Sequence, residues 1–298
     1  MYIIIICFIV IVVLFFSIGL YLARFIAKTK VLSYKNCYKD IIDEKTVDLA
    51  YLKSLDIKDC LVDTKNGYKL SMYYFDNNSN KTIMLIHGFT ANSVFSLRYL
   101  PMFIKMGFNV VGYDHCYHGK SEGDFCSMGY FEKYDLVDVI DKVYSLLPNT
   151  NKLCLHGESM GASTSIIAST IDSRINLVIS DCGFSNFMAE AAYQASLKYG
   201  YGSKFIAFLG SVVSKIVYKF SYNDVSPIRY LNKVNIPILF IHGDSDTFTP
   251  KEHSVDMYNS YSGIKELYLA KNADHVKSLT TDINKYYEVC NNFLTKHL

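Results

Sequence analysis

Lys152-Leu153-Cys154-Leu155-His156-Gly157-Glu158-Ser159-Met160-Gly161, with the small-residue segment Ala162 to Ser169 behind it, decides the fold of this 298-residue chain. A short apolar run of strand character feeds a tight turn, and a helix follows at once. Gly157 and Gly161 flank the turn and leave room for strained backbone and close packing. A turn of this kind holds a serine hydroxyl clear of the sheet end, so Ser159 is the candidate nucleophile and Gly157 and Gly161 are its elbow glycines.

Working outward, further apolar runs of strand length stand at Thr82 to Ile86, Phe108 to Tyr113, Leu177 to Ser180, Ile238 to Ile241 and Glu266 to Leu269. Continuous short runs of this kind suit strands covered on both faces. Ahead of them, Cys60 to Asp63 and Tyr68 to Phe75 flank Lys65-Asn66-Gly67, a hairpin signal. Helical spacing fills the intervals, as in Phe131 to Leu147, where Tyr134, Val137, Ile140, Asp141 and Tyr144 recur at three and four residues. The alternation predicts an α/β fold: a mostly parallel central sheet with antiparallel strands at its start and helices on both faces. Asn186 to Asn223 interrupts it with apolar positions at helical spacing (Phe205, Ile206, Phe208, Leu209, Val212, Val213, Ile216, Val217), which reads as a small helical cap over the sheet.

A nucleophilic serine needs a base, and the base an orienting acid, in the chain order serine, acid, histidine for this architecture. Past the strand Ile238 to Ile241, the segment His242 to Pro250 carries Asp244 and Asp246, and both are candidates for the acid. Past the strand Glu266 to Leu269 comes Ala273-Asp274-His275, which makes His275 the candidate base. His87, His156 and His242 end apolar strands and are read as partners of nearby loops. The oxyanion calls for backbone N–H donors: Met160, next after the nucleophile, and Phe89 in His87-Gly88-Phe89-Thr90. No GxGxxG and no phosphate-binding glycine loop with a following Lys-Ser or Lys-Thr is present, which removes nucleotide roles.

Composition narrows the field further. Lys plus Arg number 30 against 28 Asp plus Glu, and half of the residues are apolar. A core is affordable and there is no basic footprint for nucleic acid. Eight cysteines show no CxxC pair, so neither a thiolate zinc site nor a disulfide scaffold is indicated. His115, Cys116 and His118 lack a fourth ligand, and neither metal nor cofactor is expected.

Tyr2 to Ala23 carries no charge over 22 residues and as a helix spans about 33 Å, enough to cross a bilayer. A cleaved signal peptide would carry a basic residue ahead of the apolar stretch, and none precedes Arg24. Arg24, Lys28, Lys30, Lys35 and Lys39 follow the span, a bias that favours a single-pass protein of the cell membrane with its body on the cytoplasmic side. The expected organisation is an anchor over 1–24, a linker and leading helix over 25–58, and a catalytic domain over 59–298 with the cap at about 186–223.

On these residues the chain resembles the membrane-anchored bacterial α/β-hydrolases related to serine aminopeptidase and monoacylglycerol lipase-like proteins. His87-Gly88-Phe89 is similar to the family's oxyanion loop, and Gly157 to Gly161 to its nucleophile elbow. Asp114 to Ser121 resembles its structural turn, although Cys116 and Tyr117 replace the usual Arg-Gly. His242-Gly243 with Asp246, Thr249 and Pro250 resembles the acid loop, and that match implies Asp246 rather than Asp244 as the acid. The resemblance implies a serine hydrolase cleaving a carboxylic ester with an apolar or lipid-like acyl group. A serine aminopeptidase is the alternative, with Glu158 or Glu190 to hold a substrate ammonium, and a membrane-tethered binding module without catalysis is a third reading.

Overall fold

The computed structural model describes residues 1–298. The hairpin signal forms β1 (Lys58–Asp63) and β2 (Lys69–Phe75), antiparallel partners with Gly67 at φ 88° in the turn, a backbone region open to glycine at no steric cost. Then follow β3 (Lys81–Ile86), β4 (Asn109–Tyr113), β5 (Lys152–Glu158), β6 (Ile175–Asp181), β7 (Ile238–Gly243) and β8 (Lys265–Ala270). The eight strands stand in the order β1-β2-β4-β3-β5-β6-β7-β8, with every pairing from β4 to β8 parallel.

Side chains alternate across this sheet, and both sets are apolar. Met84, Val111, Leu155, Val178 and Phe240 join one core. Ile83, Leu85, Val110, Cys154 and Leu239 join the other. Two apolar faces require two helical layers. The helices, in chain order, are α1 (Tyr2–Ala27), α2 (Tyr34–Asp43), α3 (Leu49–Ser54), α4 (Ser93–Ser96), α5 (Leu100–Lys105), α6 (Glu132–Leu146), α7 (Met160–Ala168), α8 (Phe187–Tyr199), α9 (Ser203–Val217), α10 (Pro227–Tyr230), α11 (Glu252–Ser260), α12 (Ser278–Thr281) and α13 (Ile283–His297). Residues of α6, α7 and α11 complete the first core, and those of α2, α3, α5 and α13 the second. Fully burying one such large apolar side chain is worth about 1.5–3 kcal/mol.

Two features of the chain differ from the sequence reading. The apolar N-terminal helix does not stop at residue 24 but runs to Ala27. Gly19, Ala23 and Ala27 are buried in it, the two alanines within a third apolar cluster that also holds Phe184, Phe187, Val213 and Tyr222. Residues 28–58 carry the leading helix and pack on the body: Cys37 and Ile41 of α2 and Leu52 of α3 are buried in the second core. The 186–223 segment does form two helices, α8 and α9, yet five of the apolar positions expected to cover the sheet point away from it. Phe205, Phe208, Val212, Ile216 and Val217 are exposed, while Ala207, Gly210, Ser211, Val213 and Ser214 face inward. Helical spacing alone marks a face without saying which solvent it meets.

Candidate active site

The strand β5 ends at Glu158 and α7 begins at Met160, which leaves Ser159 alone to turn the chain, at φ 51° and ψ −116°. A non-glycine residue there is strained by roughly 1–3 kcal/mol. What holds it is close packing. A Cβ on Gly161 would lie 2.1 Å from the Ile86 carbonyl oxygen, and one on Gly157 would lie 2.4 Å from the Gly161 carbonyl. Both positions therefore admit only glycine.

Ser159, Asp246 and His275 come together, though 116 residues separate the serine from the histidine. His275 Nε2 lies 3.2 Å from Ser159 Oγ, and His275 Nδ1 lies 2.7 Å from Asp246 Oδ2. Asp246 Oδ1 accepts from the backbone N–H groups of Phe248 and Thr249 at 2.9 and 2.8 Å. Burial opposes its ionisation, yet hydrogen bonds to His242 and His275, and the charge of those rings, hold the Asp246 carboxyl well below the usual carboxylate range. Asp244 stands elsewhere. Its Oδ1 accepts from Asn272 N at 2.7 Å and from Ser245 Oγ, closing the turn between the two loops.

Met160 N–H and Phe89 N–H both lack an acceptor within the protein. Met160 opens α7, so its N–H adds to the positive end of the helix dipole. The Phe89 loop is fixed through His87, which is buried: its Nε2 accepts from His115 N at 2.9 Å, which assigns the proton to Nδ1, 2.8 Å from the Gly88 carbonyl. Burial, with His115 and His118 beside it, pushes the His87 pKa well below the ordinary value, so the ring stays neutral. The Asp114 to Ser121 turn is built around its aspartate. Asp114 Oδ1 accepts from Ser93 N at 2.7 Å and Oδ2 from Lys120 N at 2.8 Å, while Gly119, at φ 56°, packs directly on the carboxylate.

Of the supporting residues, His242 partners nearby loops as its place at a strand end implies, whereas Cys182 and Val276 escape sequence reasoning. His242 bridges the acid loop: its Nδ1 pairs with Ser254 Oγ at 2.7 Å, and its Nε2 lies 2.8 Å from the Thr249 carbonyl and 3.2 Å from Asp246 Oδ2. Cys182 Sγ lies within 4.8 Å of the ligand atoms of Asp246 and His275. Burial and the nearby carboxylates hold its thiol well above the ordinary range, so it packs as a neutral group. Beside the histidine, Val276 adopts φ 58°, rare for a β-branched side chain.

The two candidates for holding an ammonium fare differently. Glu158 is buried beneath the elbow and taken: it pairs with the fully buried Arg98 and accepts from Tyr99 Oη at 2.6 Å. Arg98 reaches on to Glu44, the residue that caps the C-terminal end of α2, at 3.2 Å, which ties the leading helix to the elbow. Glu190 of α8 is on the wall of the cavity over Ser159; its Oε1 accepts from Gln194, and its Oε2 lies 3.2 Å from His253 Nε2 outside hydrogen-bond geometry.

That cavity holds about 1140 Å³. Ser159 and His275 are at its floor, Phe89, Phe187 and Phe248 on its sides, and α8, α9 and α1 at its roof. Its walls are largely apolar, a composition suited to hydrocarbon with one polar end at the serine.

The profile of the serine aminopeptidase family, S33, matches residues 77–227. An uncharacterised protein of Bacillus subtilis, YqkD, is 34% identical over 235 residues, which cover 76% of this chain and 76% of that one. Among solved structures, an esterase from Pyrococcus furiosus superposes with a TM-score of 0.69 at 22% identity, over 84% of this chain and 96% of its own. The acylaminoacyl peptidase of Pyrococcus horikoshii superposes with a TM-score of 0.63 at 17% identity, over 84% of this chain and 43% of its own. At those identities the two structures share the fold.

Proposed function

The chain belongs to the serine aminopeptidase (S33) family of α/β-hydrolases and is a serine hydrolase, and from that premise we propose that it cleaves carboxylic esters of apolar, lipid-like acyl groups through Ser159, His275 and Asp246. The observation that carries the proposal is the largely apolar cavity of about 1140 Å³ with the serine hydroxyl and the histidine at its floor. In this reading Ser159 Oγ attacks the ester carbonyl while His275 Nε2 takes its proton, and Asp246 holds the ring and favours its protonated form. The N–H groups of Phe89 and Met160 meet the oxyanion. Collapse of the tetrahedral intermediate expels the alcohol, which takes the proton from His275. Water, activated by the same ring, then attacks the acyl-enzyme and releases the acid and Ser159.

No metal or cofactor enters these steps. Membrane attachment through α1, with the body on the cytoplasmic side, belongs to the same proposal: α1 is the one helix long and apolar enough to cross a bilayer, and the cluster Arg24 to Lys39 follows it. A peptidase reading rests on Glu190, because Glu158 is held by Arg98.

A panel of p-nitrophenyl esters from acetyl to palmitoyl, set against aminoacyl p-nitroanilides, tests the substrate class on the full chain in detergent. Ester turnover rising with acyl length is expected. A kcat/KM for aminoacyl anilides above that for every ester would overturn the ester reading in favour of the peptidase one.

A further inference from the structure

We propose that α1 and the cap form one membrane-seated portal, through which the cavity draws a single-chain acyl ester sideways out of the bilayer; this rests on the ester reading above. In it α1 is a wall of the substrate site as well as an anchor.

The first observation is the inverted pattern of α9. Phe205, Phe208, Val212 and Ile216 lie at spacings of three and four residues on its outer face, with Phe208 52% and Ile216 54% exposed. Its inner face is built from Ala207, Gly210, Ser211, Val213 and Ser214. In water the large apolar residues would turn inward. An outer face of Phe, Val and Ile over an inner face of Gly, Ala and Ser is the arrangement of a helix whose solvent is hydrocarbon and whose partner helix packs on small residues.

That partner is α1. Phe15 meets the Phe205 ring edge-on at 5.5 Å, a Cβ on Gly19 would collide with Val213 and the Leu209 carbonyl, and Gly210 packs against Leu22. Residue numbers rise together along both helices, so they run in the same direction with small residues at the crossing.

Length supplies a further argument. Only Tyr2 to Ile18 of α1 are exposed throughout, and these 17 residues reach about 26 Å, short of the roughly 30 Å of a hydrocarbon core. For α1 to span, the next turn must also enter the bilayer, and there the middle of α9, at Leu209, Gly210 and Val213, lies beside it. The exposed rings of Phe205, beside Phe15, and Phe208 precede that crossing along α9 and so stand on its bilayer side, with Lys198 and Lys204 able to reach the headgroups.

The cavity opens at the same place. Tyr21, Leu22, Phe25 and Ile26 of α1, Leu197 and Tyr199 of α8, and Ile206 of α9 line its upper part. An acyl chain thus passes from lipid to the serine between α1 and the cap without crossing water. The opening suits one chain carrying its ester at the polar end.

The chain contains no tryptophan, so a single introduced one reports its own depth. Full-length Phe208→Trp, reconstituted in phosphatidylcholine vesicles with brominated acyl chains, is expected to be quenched as strongly as Phe15→Trp, while Leu61→Trp on β1 is unquenched. Phe208→Trp unquenched beside a quenched Phe15→Trp would overturn the portal, and so would no quenching at either site. This readout needs no turnover, so it stands or falls apart from the ester reading.

Activity tests the entry route. With 4-methylumbelliferyl oleate dissolved in vesicles, the wild-type rate is expected to follow the mole fraction of ester in the bilayer rather than its bulk concentration. The double variant Phe205→Asp, Phe208→Asp is expected to lose at least tenfold on this substrate and to stay within twofold on the soluble butyrate ester. Equal retention on both substrates would overturn lateral entry. If neither ester is cleaved by the wild type while Phe208→Trp is quenched, the ester reading fails and entry of an ester with it, whereas the seating of the cap in the bilayer stands.

Discussion

The floor of the cavity and its roof are held together by opposite means. At the floor, Ser159 sits in strained backbone gripped by Gly157, Gly161 and the carbonyl of Ile86, and its partners Asp246 and His275 come from two other strand ends. Side-chain contacts link His275 to Ser159 and Asp246, and backbone N–H groups of Phe248 and Thr249 hold Asp246, so the geometry is fixed before a substrate arrives. At the roof, α1 meets α9 through Gly19, Gly210 and their neighbours, with large apolar side chains turned outward. In the proposed reading the floor determines which bond is broken and the roof which acyl chain reaches it. Damage to the floor is therefore expected to reduce turnover of every substrate alike, whereas damage to the roof changes the ranking of substrates.

The largest effect is expected at Asp246. Asp246→Asn keeps the size but lets His275 take the wrong tautomer, so kcat is expected to fall by up to about 10⁴-fold for short and long esters alike. Asp244→Asn, which only loosens the Asn272 turn, is expected to keep most turnover and lower the melting temperature. Steady-state kinetics on both, with circular dichroism to confirm folding, check the assignment; a nearly inactive Asp244 variant beside an active Asp246 variant would reverse it.

Next comes Arg98→Met, which leaves Glu158 and Glu44 without their shared partner and is expected to cost about 3–5 kcal/mol in denaturant unfolding. Loss of less than 1 kcal/mol would mean that the ion pair is not what supports the elbow. Smaller again is Gly19→Leu, which forces α1 away from Val213 and Leu209. It is expected to lower kcat/KM for palmitoyl esters about tenfold more than for butyryl esters, about 1.4 kcal/mol of selectivity. An equal loss on both would erase the distinction between roof and floor. The smallest change in stability is a gain: Ser159→Gly relieves the positive φ and is expected to raise stability by about 1 kcal/mol, although turnover is abolished with the hydroxyl.

The sheet was legible because buried parallel strands must be continuous apolar runs, and six such runs in the sequence became β3 to β8. The elbow was legible because the turn at Ser159 tolerates glycine alone at positions 157 and 161. The spacing of His242-Gly243 to Thr249-Pro250 singled out Asp246 only through family resemblance, since two aspartates beyond one strand end look alike until their backbone donors are known. Glu158 was read as free for a substrate because its partner Arg98 lies 60 residues away, and no local pattern joins them. The orientation of α9 was hidden for a different reason: periodicity reports that a helix has two faces, whereas the choice of face depends on Gly19 and Leu22 of a helix nearly two hundred residues earlier. The stripe Gly19, Ala23, Ala27 was visible in the sequence but is lost to any count that scores only the apolar length of the span.

The most direct test of the central claim is to label the full-length protein with a fluorophosphonate and map the adduct by mass spectrometry. Ser159 as the single modified residue, with labelling abolished in folded Ser159→Ala and slowed by orders of magnitude in Asp246→Asn, is the predicted result. An adduct on another serine, or undiminished labelling of the Ser159→Ala protein, would contradict it.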